Sequence, residues 1–179
     1  MANVKWSLDP THSEVQFKVK HLMITTVTGH FQTFTVEAET ADDQFTSIEQ
    51  VVFTADINSI STNNEQRDAH LKSADFFDAE QFNEIRFEGN KLEKAGGDDY
   101  KLSGNLTIKG ITKPFTADVE FGGIVVDPYG QTKAGFTITD KISRKEFGLT
   151  WSAVTEAGNV VVSDEIKLIA EIQLIKQAA

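Results

Sequence analysis

Alternation of apolar and polar residues with a period of two runs through most of this chain. Val15, Phe17 and Val19 alternate with polar neighbours, and the same period recurs near residues 34–38, 51–57, 85–87, 102–108, 115–121, 136–138 and 166–174. Successive side chains of a β-strand point to opposite faces, so this period is typical of strands with one buried face. The pattern predicts about eight to ten such strands.

The segments between these strands are short and contain turn residues. Ala95–Asp99 predicts a hairpin loop, and the Gly122–Gly123 pair with Asp127–Gly130 predicts another. Because parallel strands need long crossover connections, the neighbours are predicted to be antiparallel, and their apolar faces must close into a barrel or pack as a sandwich. Small residues in the inward rows, such as Gly104 and Ala117, favour a barrel with a lumen.

Composition limits the classes of function. The 179 residues carry a formal net charge of −10 and no cysteine, which argues against nucleic acid as a partner and excludes thiolate chemistry. Long-range attraction to anionic membranes is not expected either, although a local cationic spot can exist on an acidic protein. No apolar run approaches the length of about 18 residues that indicates a membrane-spanning segment.

The length fits a single domain over residues 1–179. Met1–Trp6 has no apolar signal region, so a cytoplasmic location is expected, or a periplasmic one if a signal was removed.

A polar insert from Asn63 to Asp78 interrupts the strand pattern. Asn63 or Asn64 can cap a helix that begins at Glu65 and ends near Ser73, with the acidic Glu65 early, as the helix dipole favours. The Phe76–Phe77 pair follows directly. Charged groups beside aromatic rings are the composition of a rim over an apolar cavity.

Six motifs occur in order along nearly the whole chain. They are Trp6-Ser7-Leu8-Asp9-Pro10-Thr11-His12-Ser13; Phe17-Lys18-Val19-Lys20-His21 with Gly29-His30-Phe31; Ser59-Ile60-Ser61-Thr62-Asn63; Arg67-Asp68-Ala69-His70-Leu71 with Asp75-Phe76-Phe77; Gly104-Asn105-Leu106-Thr107-Ile108-Lys109-Gly110; and Arg144-Lys145-Glu146-Phe147-Gly148-Leu149. In this order they resemble the YceI-like family of lipocalin-like, polyisoprenoid-binding proteins. The resemblance implies an all-β fold, a single antiparallel up-and-down, lipocalin-like barrel of about eight strands with a short helical insert near residues 63–73. It also implies an extended isoprenoid chain in the lumen, a polyprenyl pyrophosphate or an isoprenoid quinone, with its polar head at one end.

The candidate head-group residues are Arg67, His70, His21 and Asp68. Arg67 and His70 are three apart on the predicted helix and share a face, and the guanidinium fork suits a pyrophosphate or a quinone oxygen. The alternative is that Arg67 pairs with a nearby carboxylate (Asp68, Asp75 or Asp78) and fixes the insert in place. His21 ends an inward row, where a neutral histidine usually bonds to the backbone.

The candidate tail-contacting residues are apolar and mostly aromatic: Phe17, Val19, Phe34, Phe53, Phe76, Phe77, Phe82, Phe87 and Trp151. Strand parity alone does not separate residues that face a lumen from residues of a solid core.

A non-catalytic carrier is the predicted function, with the lipid as its ligand and with no cofactor. No Gly-x-Ser-x-Gly elbow occurs, and the four histidines have no HxH or HExxH spacing for a metal. Two alternatives stay open: an enzyme acting on a bound lipid or amide through His70 and Asp68, and a ligand-free structural or interaction barrel.

Two further expectations concern pairing. Arg144 has inward parity, so a carboxylate such as Asp140 or Glu146 is expected to neutralise it. Exposed edges of such barrels often pair, so a homodimer is expected.

Overall fold

The computed structural model describes residues 3–45, 48–151 and 162–177, which form strands around an apolar interior. The strands are β1 (Val4–Leu8), β2 (Glu14–His21), β3 (Thr25–Phe31), β4 (Phe34–Thr40), β5 (Ile48–Asp56), β6 (Ile60–Ser61), β7 (Glu84–Gly96), β8 (Asp99–Ile108), β9 (Ile111–Val126), β10 (Thr132–Ser143) and β11 (Val162–Lys176). A helix, α1 (Glu65–Lys72), lies between β6 and β7. Single 3₁₀ turns cover Pro10–His12, Ile57–Ser59 and Arg144–Phe147.

Within these described ranges, eight strands close into an antiparallel ring. Their order is β1-β4-β5-β7-β8-β9-β10-β11, and β11 returns to β1 through the pairing of Trp6 with Lys176. The predicted all-β, lipocalin-like barrel of about eight strands with one helical insert is therefore confirmed. We call the end of the barrel that holds Trp6 the lower end and the end that holds α1 the upper end.

The barrel wall changes strands between its two ends. β11 pairs with β1 only from Leu174 to Lys176, and with β2 from Val162 to Glu171. β2 pairs with β3 as a hairpin, and β3 then pairs with the short β6. The β2–β3 hairpin thus forms the wall beside the upper end, while β1 and β4 form it at the lower end.

Aromatic side chains fill the lower end. Trp6 is almost fully buried, and its indole Nε1 donates to Thr40 Oγ1 at 3.0 Å. Its ring lies 4.5 Å from Phe45, which also contacts Phe136 at 4.9 Å, and Phe136 stacks on Phe121 at 5.2 Å. We call Trp6, Phe45, Phe121 and Phe136 the aromatic plug.

The helical insert follows the prediction closely. Asn64 is the N-cap, and its side chain accepts a hydrogen bond from the backbone N–H of Arg67 at 3.0 Å. Asn63 instead has a φ of 62° and supplies the left-handed turn that leads into the helix. α1 has eight residues. In the part of the chain that the structure describes, no helix has both the length and the apolar composition needed to cross a bilayer.

The second predicted hairpin is confirmed at Asp127–Gly130, but its Gly122–Gly123 pair does not lie in the turn. The 95–99 hairpin is present, with Gly96 and Gly97 at positive φ, but Gly122 and Gly123 lie inside β9. In the pairing of β9 with β10, Gly135 faces Gly123 and Phe136 faces Phe121. Gly122 is therefore the extra residue, and the two glycines belong to a β-bulge. The turn itself is at 127–131.

The small residues of the inward rows are explained in two different ways. A Cβ on Gly104 would collide with the carbonyl oxygen of Glu88, so glycine is needed there for close approach of β7 and β8. Gly104 therefore does not indicate a lumen, contrary to the prediction. Ala117 does face open space inside the barrel, because it lines a cavity described below.

A buried ion cluster connects β1 to β10 at the lower end. Lys133 Nζ lies 2.7 Å from Asp9 Oδ2 and 3.3 Å from Asp127 Oδ2, and His12 Nδ1 lies 2.8 Å from Asp9 Oδ2. The hydrogen bond from Lys133, aided by those from His12 and Thr11, holds the pKa of Asp9 well below its ordinary value in spite of burial.

This cluster predicts acid sensitivity. A carboxylate with a depressed pKa contributes stability above its ordinary value of 3.8, and that contribution is lost as the pH falls below it. We expect Asp9→Asn to lower the free energy of unfolding at neutral pH and to flatten its decline below about pH 4. Urea unfolding at several pH values measures both effects.

The control is Asp118→Asn, which removes an exposed partner of Lys101 and should change little, because exposed ion pairs contribute little. Equal pH profiles for wild type and Asp9→Asn would contradict the assignment.

Candidate functional site

The barrel interior contains two adjoining cavities. The lower cavity, about 190 Å³, lies above the aromatic plug and has an almost wholly apolar lining from Val36 on β4 to Ile172 on β11. The upper cavity, about 290 Å³, lies between the barrel and α1. Four residues line both cavities: Phe31, Ile85, Ile108 and Leu168. A single layer of side chains therefore separates them, and together they form one apolar path along the barrel.

The upper cavity differs from the lower one in its polar lining. Its ionisable residues, among those the structure describes, are lysine, arginine or histidine, with no carboxylate: Lys20, His21, Arg67, His70 and Arg144. The protein as a whole has a net charge of −10, so this distribution is a local reversal of sign. The positive charges of Lys20, Arg67 and Arg144 favour an anionic group in this space.

The Arg67 side chain is hydrogen-bonded to Thr62, which lies in the connection between β6 and α1. Its Nε donates to Thr62 Oγ1 and its Nη2 to the Thr62 carbonyl, both at 2.7 Å. The Thr62 hydroxyl in turn donates to Asp68 Oδ1 at 2.6 Å. Arg67 has no direct ion pair with a carboxylate of the described residues, and its link to Asp68 runs through Thr62. Asp68 therefore orients Arg67 from behind and does not itself line the cavity.

His70 lies on the same face of α1 as Arg67, as the three-residue spacing predicts, and lines the same cavity. Its Nε2 is 2.9 Å from Asp75 Oδ2, and its ring makes edge contacts with Phe76 at 5.0 Å and Trp151 at 4.8 Å. Asp75 and the two rings fix the orientation of the imidazole. His70 and Asp68 bond to different partners, so the pair required by the enzyme alternative is not assembled.

Arg144 is 2% exposed, and its partners are not the predicted ones. Its guanidinium donates to the carbonyls of Ser163, Leu149, Trp151 and Val162 at 2.9, 2.5, 2.7 and 3.3 Å. Asp140 and Glu146 were wrong as ion-pair partners because four carbonyls satisfy the side chain. Burial lowers the pKa of Arg144, and Asp164 opposes that shift electrostatically; arginine nevertheless stays charged.

The predicted tail residues divide into three groups. Phe17, Val19, Phe76, Phe77 and Trp151 line the upper cavity, and Phe53 and Phe87 line the lower one. Phe34 and Phe82 line neither. Phe34 packs against the core and lines a separate pocket beside β2 and β3, and the ring of Phe82 covers Gly110 in the β8–β9 turn.

His21 was selected from the apolar–polar alternation of its strand, whereas Phe31 was not, and both line a cavity. His21 lines the upper cavity but is exposed at the end of β2, so it is not a buried histidine. Phe31 lines both cavities, and sequence reasoning did not select it because β3 was not predicted as a strand. The Gly29-His30-Phe31 motif was the available signal.

Comparisons with known proteins agree on one family. A family profile described as the YceI-like domain matches residues 6–174. A UPF0312 protein of Staphylococcus aureus strain N315 is 37% identical over 163 residues, covering 90% of this chain and 92% of the relative. The YceI protein of Campylobacter jejuni is 33% identical, with a TM-score of 0.74 over 96% of this chain and 97% of that chain.

Two more distant structures share the fold. BcnA of Burkholderia cenocepacia has a TM-score of 0.79 at 21% identity, over 93% of this chain and 98% of its own. A polyisoprenoid binding domain from Saccharophagus degradans, described as implicated in plant cell wall breakdown, has a TM-score of 0.72 at 14% identity, over 96% and 98%.

Proposed function

This chain belongs to the YceI-like family, and from that premise we propose that it binds a long-chain isoprenoid lipid in its barrel without transforming it. The observation that carries the proposal is the apolar path of two adjoining cavities, closed by the aromatic plug at one end and lined by basic residues at the other. The Saccharophagus degradans domain of the same fold is described as polyisoprenoid binding. Such a path suits an extended hydrocarbon with a polar head.

Hydrocarbon burial supplies enough free energy for this function. Burying a CH₂ group contributes about 0.8 kcal/mol, so one five-carbon isoprene unit contributes roughly 3–4 kcal/mol before ordering costs. Those costs amount to about 4–15 kcal/mol. A few units in the lumen therefore give tight binding, and affinity comes mainly from the tail.

The basic lining of the upper cavity favours a polyprenyl pyrophosphate as the ligand. Arg144 presents a buried charge whose hydrogen bonds all go to neutral carbonyls, and Arg67 is held in place by Thr62. An anionic head would compensate both cations. An isoprenoid quinone is the second candidate, because Arg67 and His70 could also donate to its carbonyl oxygens.

Organic extraction of the purified protein followed by mass spectrometry tests the proposal. We expect one long-chain isoprenoid lipid per barrel, or stoichiometric binding when the delipidated protein is offered a polyprenyl pyrophosphate. If neither is observed, the barrel is ligand-free and the proposal fails. If the added lipid is recovered chemically altered, the enzyme alternative replaces it, and loss of that turnover in His70→Ala would identify the residue responsible.

Arg67→Gln tests the assignment of the head group. We expect binding of a polyprenyl pyrophosphate to weaken about 10- to 150-fold, the loss of one charge-assisted hydrogen bond. Binding of the corresponding hydrocarbon without a head should be unchanged, because the tail contacts remain. Fluorescence titration with both ligands measures the difference.

Arg86→Gln is the matched control. Arg86 lies on β7 among exposed outward residues and pairs with Glu88 at 2.7 Å, so neither affinity should change. Equal losses for the lipid with a head and the lipid without one would show that Arg67 acts only on the fold of the insert.

A further inference from the structure

The tip of the β2–β3 hairpin exposes two large apolar side chains. Met23 is 59% exposed and Ile24 is 77% exposed. Leu22 and Met23 both have positive φ, 52° and 60°, and the Ile24 N–H bonds to the His21 carbonyl at 3.1 Å. This is the tight hairpin turn that glycine or asparagine normally occupies. The chain therefore holds bulky apolar residues in a strained, fully projecting turn.

The hairpin that carries this tip also lines the upper cavity. Lys20, His21 and Val27, on either side of the tip, contribute to its lining. A molecule bound at the tip would therefore lie beside the part of the lumen that holds the basic residues. Burial of the tip against a partner would place that partner next to the ligand's head.

The β2–β3 hairpin carries no carboxylate after Glu14, although Asp164 and Glu165 lie on β11, the strand that pairs with β2. No aspartate or glutamate occurs between Glu14 and Glu37, a stretch that contains Lys18 and Lys20. Lys20 is exposed, and its Nζ donates to Thr26 Oγ1 at 2.9 Å across the hairpin. Apolar residues at a tip with lysines behind them match a bilayer surface, where apolar groups enter the acyl boundary and cations meet anionic head groups.

We propose that this hairpin tip docks on a lipid bilayer and brings the upper cavity against it during lipid exchange. The inference rests on the proposed function, because an isoprenoid tail released into water loses the free energy that its burial provides. Contact with the bilayer lets the tail move between two apolar phases. Two side chains give weak and reversible attachment, which suits a carrier that must leave the membrane again.

The test compares two double variants. The tip variant, Met23→Ser with Ile24→Ser, removes the two apolar side chains of the tip. The control variant, Val126→Ser with Tyr129→Ser, removes two apolar side chains at the lower end that are 68% and 89% exposed. Transfer of a fluorescent polyprenyl lipid from phosphatidylcholine vesicles should slow about tenfold or more for the first variant only. Equilibrium binding of the same lipid in detergent solution should be equal for wild type and both variants. Equal transfer rates for wild type and the tip variant would overturn the proposal.

Flotation with vesicles that contain no isoprenoid tests docking independently of lipid binding. We expect wild type, and not the tip variant, to float with vesicles containing phosphatidylglycerol, and Lys20→Gln to weaken that flotation. If wild type does not float, the docking proposal fails even where lipid binding in detergent succeeds. If the tip variant changes only the oligomeric state in sedimentation, the tip is a contact between copies of this chain and the proposal is also overturned.

Discussion

Ala117→Trp is expected to abolish tight binding of long isoprenoid chains while the barrel still folds. Ala117 is 3% exposed on β9 and lines the lower cavity, so an indole there occupies space that the far end of a tail would fill. Exclusion of one or two isoprene units weakens binding by about 100-fold or more. Short-chain lipids that need only the upper cavity should bind almost as they do to wild type. Titration with a series of chain lengths measures this dependence.

Thr116→Trp is the matched control for that substitution. Thr116 is the preceding residue of β9, is exposed, and faces outward, where its hydroxyl lies 3.1 Å from that of Ser103. The same indole outside the barrel should leave every chain length unaffected. Unchanged long-chain binding by a folded Ala117→Trp protein would show that the tail does not enter the lower cavity.

Arg144→Met is expected to lower the free energy of unfolding by about 3–5 kcal/mol. Methionine fills much of the volume but cannot donate to the carbonyls of Leu149, Trp151, Val162 and Ser163, which Arg144 now satisfies. Buried carbonyls that lose their donor are costly. Urea unfolding followed by circular dichroism measures the loss.

Arg86→Met provides the comparison for this second prediction, because Arg86 is exposed and has one ion pair. We expect a change within about 0.5 kcal/mol for that variant. A similarly small change for Arg144→Met would mean that water replaces the guanidinium, and that the segment after β10 does not depend on it.

The strands that sequence alone predicted are those in which one face is strongly apolar. β5, β8 and β11 place mostly valine, leucine, isoleucine or phenylalanine at alternate positions, with one small residue in each row (Ala55, Gly104 and Ala170), so burial and period agree. β3 was missed because its apolar residues are few, and β1 was missed because Val4, Trp6 and Leu8 alternate over only five residues. β3 contains three threonines and a glycine (Thr25–Phe31), and β1 is fixed by the aromatic plug and by pairing with β4 and β11.

The helical insert was predictable because its signals are local. Asn64 caps α1 through a bond to the next turn, which depends only on residues three apart. The partners of Arg144 were not predictable, since they are backbone carbonyls of Leu149, Trp151 and the start of β11, and no side-chain pattern marks a carbonyl as an acceptor. The need to balance a buried charge predicted a carboxylate partner. In the structure, backbone carbonyls such as those of Trp151 and Ser163 accept the hydrogen bonds of the guanidinium.

Assignment of side chains to the lumen was limited in the same way. Parity placed Phe53 and Phe87 inward, and both line the lower cavity. Phe34 has the same inward parity and its ring lies 6.4 Å from that of Phe53, but it stands at the start of β4 and lines neither cavity. The head-group roles of Arg67 and His70 and the expected homodimer stay predictions.

The double pairing of β11 has a consequence for the order in which this protein folds. β11 contacts both β1 and β2, which precede it by most of the chain, so neither half of the wall can be sealed before the last strand is present. Contacts of such large sequence separation slow folding and leave strand edges unpaired for longer. During synthesis, β2 in particular would wait with an open edge, and a chaperone that covers such edges would raise the yield of the native barrel.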